Sequence, residues 1–377
     1  MLTKIKIFDW RLLLGCITGI IFLYIALLSE KESLDFEELA LGTENVVTLG
    51  QVDGLAIHCH DLNDFDNCLS SYKRGGDGRP VLLWLGNSQV HAINQFKSGD
   101  ETAASELFRR FQVQGDYFLT LSQPNASLQE HYLLFAHTLN LLPVKLLILP
   151  VVFDDMREDG IRTSLIGALK NQDTKELLYL STIGQKLIAN HSDQDAAGND
   201  MAALKDTFQE RSEKLLNTKL EETWSIWANR SILRGNALHL LYQFRNWSLD
   251  ISPSSARKII PGRYEKNRNA LLALLRLAGQ QEVKVLVYLV PLRNDVKIPY
   301  DANEYALFKT DIESVVNKNK AQFIDLENLV PSELWGTKAS TTIGTQQELD
   351  FMHFQAGGHS LLAEKLFREL MILRAGP

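Results

Sequence analysis

The sequence predicts an α/β protein: a flavodoxin-like, doubly wound and mainly parallel sheet of five strands that carries a helical insertion and follows one N-terminal transmembrane helix. Three observations predict it. Short apolar runs begin at residues 81, 116, 144, 283 and 322 and alternate with helix-period stretches, the rhythm of βα units. Between residues 157 and 262 the chain is rich in charged helix formers and holds no strand-like run. Leu12 to Leu28 is uncharged and close to the shortest stretch that crosses a bilayer.

Lys4, Lys6 and Arg11 precede that stretch, and Glu30, Glu32, Asp35, Glu37 and Glu38 come after it. Positive-inside asymmetry then leaves the N-terminus in the cytoplasm and exports the rest. No small-x-small cleavage site follows Leu28, so an uncleaved anchor in the cytoplasmic membrane is expected rather than a signal peptide. Cys16 sits at the start of the apolar run, the wrong end for lipidation. A net charge of −7 and the lack of a basic stripe interleaved with aromatics argue against nucleic acid as a partner. The expected domains are 1–30 (cytoplasmic tip and anchor), 31–80 (stalk and cysteine-containing peripheral segment), 81–156 with 263–377 (α/β domain) and 157–262 (helical insertion).

Within 31–80, Cys59 and Cys68 are expected to close a short disulfide loop, since disulfides persist outside the cytoplasm. His58-Cys59-His60 with Cys68 are also zinc-ligand types, but the spacing matches no familiar zinc pattern, and no metal or cofactor is expected. Val81 to Leu85 reads as the first strand. Gly86-Asn87-Ser88 breaks it, lifting Ser88 to the carboxyl edge of the sheet, where open α/β folds bind ligands. A helix should come next, with His91 on the same face as Ser88, either touching substrate or lying on the helix surface.

Glu101 to Phe111 is the next helix, Asp116 to Leu121 the second strand, and Val144 to Val152 the third, ending in Phe153-Asp154-Asp155. Asp173 to Ala189 and Met201 to Trp227 are the clearest helices of the insertion, with Trp224, Trp227 and Trp247 expected in its core. The rhythm resumes with a helix from Asn267 to Ala278, a strand from Val283 to Val290, a helix from Asn303 to Asn317 and a strand from Gln322 to Leu326. Residues 331–347 read as loop and 357–374 as the last helix.

Ser88 after a strand is as consistent with a helix N-cap as with a nucleophile. Asp350-Phe-Met-His353 supplies what a nucleophile lacks, an imidazole and a carboxylate that orients it, at another carboxyl-end loop of the same sheet. The tail from Asp350 through Gly358-His359 into an Ala-Glu-containing apolar helix resembles the last block of the SGNH, or GDSL-type, hydrolases. Leu85-Gly-Asn-Ser-Gln89 is similar to that family's first block, with Asn87 in place of its aspartate. The resemblance implies Ser88 as nucleophile, His353 as general base and Asp350 as its orienter.

Two middle blocks depart from the family. Asn125 stands where the second block places an oxyanion-hole glycine, and Asp154, beside Asp155, where the third places its asparagine. The backbone N–H of Ser88 remains, and Asn87 or Asn125 would supply side-chain amides. Anchored, exported members of the family act on acyl groups of bacterial surface polysaccharides. The resemblance therefore implies a membrane-anchored extracytoplasmic serine esterase or O-acyltransferase whose partners are an acylated glycan and other polysaccharide-biosynthesis membrane proteins. The altered positions keep a second reading open, an inactive SGNH-like module that binds glycan or scaffolds such a complex. A third is a metal-dependent hydrolase built on His58, His60 or Asp154 and Asp155.

Overall fold

The computed structural model describes residues 46–48, 50–198, 256–338 and 348–375. The predicted anchor at 12–28, the predicted helix 201–227 and Trp224, Trp227 and Trp247 lie outside the described residues. Among the described residues no helix is long and apolar enough to cross a membrane.

The central sheet has six strands: β1 (His58–Cys59), β2 (Val81–Gly86), β3 (Tyr117–Ser122), β4 (Val144–Val151), β5 (Lys284–Leu289) and β6 (Gln322–Asp325). They are ordered β6-β5-β4-β2-β3-β1, and every pairing is parallel. Without β1 this is the flavodoxin-like order, with its reversal between β2 and β4. β2 is buried along its whole length because a parallel strand is covered on both faces, which is why it reads as Val-Leu-Leu-Trp-Leu rather than as an alternation. The Trp84 ring lies edge-on to Phe118 of β3 and against Tyr288 of β5.

The predicted count of five strands is corrected to six. β1 is two residues long, too short to show any period, and it enters the sheet through register alone, pairing His58 with Thr120 and Cys59 with Leu121. Part of the cysteine-containing segment expected to be peripheral is therefore an edge of the sheet. The disulfide between Cys59 and Cys68 ties β1 to the helix α1 (Leu62–Gly75).

The remaining helices are α2 (Ser88–His91), α3 (Ala103–Val113), α4 (Leu128–Leu139), α5 (Gln172–Tyr179), α6 (Thr182–Gly198), α7 (Pro261–Gln280), α8 (Ala302–Lys318) and α9 (Ala356–Ala375). Their starts carry the expected stop-and-start chemistry. Ser127 and Glu130 form a capping box on α4, Asp301 accepts two backbone N–H groups of α8, and Pro261 opens α7. α4 packs on α7 and α3 on α9, while α5 and α6, the described helices of the insertion, lie against α4 and α7.

Residues 331–347 are not all loop. β7 (Trp335–Lys338) pairs antiparallel with β8 (Glu348–Phe354), so Asp350 and His353 sit on a strand outside the main sheet.

Closing a loop of this length by a disulfide stabilises a chain by about 2–3 kcal/mol, through the entropy of the unfolded state. Cys68→Ser is expected to lose that amount in urea unfolding, and a reductant should impose the same loss on the wild type but none on the variant.

Candidate active site

The site begins where β2 ends. A Cβ on Gly86 would meet Val90 Cγ2 at 2.4 Å, so only glycine lets the chain fold straight back into α2. Asn87, in extended conformation, caps that helix by accepting the Gln89 N–H at 3.1 Å on its Oδ1. Ser88 is left as the first helical residue, at the point where the strand order reverses. Its side chain is nearly buried, at 9% exposure.

Ser88 Oγ lies 2.9 Å from His353 Nε2, and His353 Nδ1 lies 2.9 Å from Asp350 Oδ2. The carboxylate is 1% exposed. Its Oδ1 accepts the backbone N–H groups of Met352 at 2.9 Å and His353 at 3.2 Å, and its Oδ2 also accepts Asn94 Nδ2 at 3.2 Å. Burial alone would raise this acid, but the charge of His353 and these hydrogen bonds outweigh it and hold Asp350 down at about 2. An ionised carboxylate only accepts, so the Nδ1 it faces must carry the proton in neutral His353. Nε2 then presents a lone pair to the serine hydroxyl, the tautomer a general base needs.

Two amides fix this geometry. Gln89 Nε2 donates to Pro291 O at 2.8 Å and Met352 O at 2.7 Å, pinning α2 to β8 and to the chain leaving β5. Asn94 Nδ2 reaches Thr337 O at 3.1 Å as well as Asp350, and a Cβ on Gly336 would meet Asn94 Oδ1 at 2.2 Å. His359 is buried between Ala103 N (3.2 Å) and Ala92 O (3.0 Å), joining α9 to α3 and to the residue just after α2. Sequence reasoning assigns none of Asn94, Gly336 or His359 a role.

Other expected positions move. Asn125 is exposed, has a left-handed φ of +50°, and shares no hydrogen bond with the serine, histidine or aspartate. Asp154 is spent on Arg157 at 3.3 Å, on Tyr300 at 3.1 Å and on Arg257. Asn87 turns its Nδ2 to Asp155 Oδ2 at 3.3 Å. Burial pushes the Asp155 carboxyl well above the usual range despite that bond, and nearby Asp154, Glu158 and Glu130 push it the same way. His91 is neither a surface residue nor hydrogen-bonded to the serine: α2 is only one turn long, and His91 is buried with Nδ1 2.6 Å from Ser122 Oγ. Cys59 and Cys68, bonded to each other, are unavailable as zinc ligands.

Gly336→Ala should cost about 1–3 kcal/mol through overpacking. It should also shift the low-field proton resonance of His353 Nδ1, because Asn94 is pushed off Asp350; urea unfolding and proton NMR check the two effects. A second expectation concerns acid. Burial lowers the imidazoles of His58 (to about 3), His131 (to about 3), His359 (to about 4), His91 and His137. As the pH falls below about 6.5, the unfolded chain takes up protons that these side chains refuse when folded. Asp116, Asp155 and Glu158, raised by burial, act in the opposite sense but are fewer. Stability is therefore expected to be full above about pH 6.5 and to fall toward about pH 4. Thermal melts across that range measure it, and a midpoint that rises on acidification would contradict it.

No family model and no curated protein sequence matches the chain. Solved structures similar to it include a protein described as an acylhydrolase from Bacteroides fragilis, 10% identical with a TM-score of 0.36, covering 81% of this chain and 97% of that one. A GDSL-like lipase from Bacteroides thetaiotaomicron is 9% identical with a TM-score of 0.35, covering 80% and 97%. An acetyl-xylooligosaccharide esterase from Geobacillus is 8% identical with a TM-score of 0.37, covering 78% and 95%. Likenesses this coarse do not bear on substrate or residue roles.

Proposed function

We propose that the protein is a serine esterase, or an O-acyltransferase sharing the same acyl-serine intermediate, that acts on acyl or acetyl groups of a cell-surface polysaccharide. On this reading residues 12–28 anchor it in the cytoplasmic membrane and the α/β domain works outside. The observation that carries the chemistry is the continuous relay from Ser88 Oγ through His353 to a buried, ionised Asp350.

Ser88 Oγ attacks the acyl carbonyl while His353 Nε2 takes its proton, and Asp350 stabilises the imidazolium that results. The tetrahedral intermediate collapses as Nε2 returns that proton to the departing alcohol, leaving an acyl ester on Ser88. Water or a sugar hydroxyl then attacks this ester, again losing its proton to His353, and free serine is regenerated. Hydrolysis and transfer differ only in that acceptor. The Ser88 N–H, first in its helix and without an intrahelical partner, serves the oxyanion, and the second amide hydrogen of Asn87 is the nearest side-chain donor in sequence. The Cys59–Cys68 disulfide supports an oxidising compartment and so an exported domain.

The exposure of Asn125 and the ion pairs of Asp154 favour the alternative, an inactive module that binds glycan or scaffolds a biosynthetic complex, because neither residue supplies an oxyanion donor. A fluorophosphonate probe separates the two. Wild-type labelling that is lost in both Ser88→Ala and His353→Ala is expected, with Asp350→Asn slowed on the order of 10³- to 10⁴-fold. A folded wild type that never labels would leave the scaffold reading. Adding an oligosaccharide acceptor to an activated acetyl ester then shows whether acetate or acetylated sugar accumulates.

A further inference from the structure

Ser122 ends β3 in register with Gly86 at the end of β2, so it shares the sheet edge from which Ser88 rises. Two imidazoles bracket its hydroxyl, His58 Nε2 at 2.7 Å and His91 Nδ1 at 2.6 Å. His60 completes a three-ring cluster, with centroids 4.4 Å (His58–His60), 4.8 Å (His58–His91) and 4.9 Å (His60–His91) apart. One ligating nitrogen from each histidine lies within 4.8 Å of the other two.

Hydrogen bonding within the protein does not satisfy this cluster. A serine hydroxyl donates once, so it can pair one imidazole as donor and the other as acceptor, after which its proton is used up. His58 Nδ1 is still buried with no hydrogen-bond partner among the described residues. His58 and His91 are only 5% and 3% exposed, so bulk water does little to satisfy their ring nitrogens.

We propose that His58, His60 and His91 bind a divalent transition-metal ion of the zinc class beside Ser122, leaving a fourth position for water or a substrate oxygen. Three imidazoles suit zinc, and the cluster contains no carboxylate to favour magnesium or calcium. Tetrahedral ligands at about 2.0–2.1 Å stand about 3.4 Å from one another, so the ion draws the three nitrogens inward. The disulfide holds Cys59, the residue between His58 and His60, to α1 and so presets two of the ligands. His91 belongs to α2, so the ion joins the edge of the sheet to the helix that carries Ser88. This assignment stands whether or not Ser88 acts on esters.

The test uses the full chain in detergent, purified on a tag without histidine, stripped with EDTA and titrated with Zn²⁺ by calorimetry. One equivalent should bind with a Kd tighter than about 10 μM, and Mg²⁺ should give no binding. His60→Ala and His91→Ala should each weaken Zn²⁺ at least about 100-fold, while His137→Ala, whose imidazole bonds Thr174, should leave it unchanged. Co²⁺ in place of Zn²⁺ should give the d–d absorption of a four-coordinate nitrogen site. Because His91 is fully buried and its variant can fail to fold, the half-buried His60 carries the decision, with circular dichroism confirming its fold. Wild-type binding weaker than about 10 μM, or a folded His60→Ala with unchanged affinity, would overturn the proposal.

Discussion

The Asp350 carboxylate is the constraint on which the rest of the site depends. A charge taken almost entirely out of water survives only if its desolvation is matched by donors, and here four N–H groups supply them. Two come from its own strand, within three residues, so the turn of β8 is itself part of the solvation of the acid. A third is the imidazole it orients. The fourth, from Asn94, comes from the other side of the site and exists only because Gly336 leaves room for it. Breaking any one of them unbalances a buried charge, which costs more than the bond by itself.

The same economy explains why β7 and β8 stand outside the main sheet. A histidine on a free loop would sweep through many rotamers, whereas β8 is paired to β7 and clamped through Met352 O and Phe351 O by Gln89 and Arg293. The Arg293 guanidinium in turn donates to Gly336 O at 3.0 Å, so one chain of contacts runs from the end of β5 through β7 to Asn94 and the acid. Positioning of this kind is what converts a serine and a histidine into a pre-formed pair.

The length scale of each feature decides whether residues alone reveal it. β2, β4 and β5 are legible because parallel strands buried on both faces leave apolar runs of at least four residues, while β3 shows only Tyr-Phe-Leu before Thr120 and β6 only Phe323-Ile324, so those two are read chiefly from the βα rhythm around them. Ser88, Asp350 and His353 are legible because each sits in a block whose neighbours are themselves constrained: Gly86 by Val90, and Gly358 by the Phe354 ring. β1 is not legible, since two residues carry no period, and β7 is hidden by the polar stretch around it. Asn125 and Asp154 entered the expected site only through the spacing of the family's middle blocks. Left-handed backbone turns the first outward, and Arg157 and Arg257 capture the second.

The largest departure is His91, and its cause is general. A surface position is expected on the premise of an amphipathic helix after Ser88, in which one face is always spare. α2 has only four residues, and none is spare: Ser88 meets His353, Gln89 holds β8, Val90 packs over Gly86, and His91 meets Ser122. In a helix this short every side chain is buried and every one has a different neighbour, so periodicity carries no information about it. Chemistry then gathers there by necessity. The turn that exposes a nucleophile to one side must bury the next few side chains on the other, and a histidine buried beside two more is held there either by hydrogen bonds or by an ion.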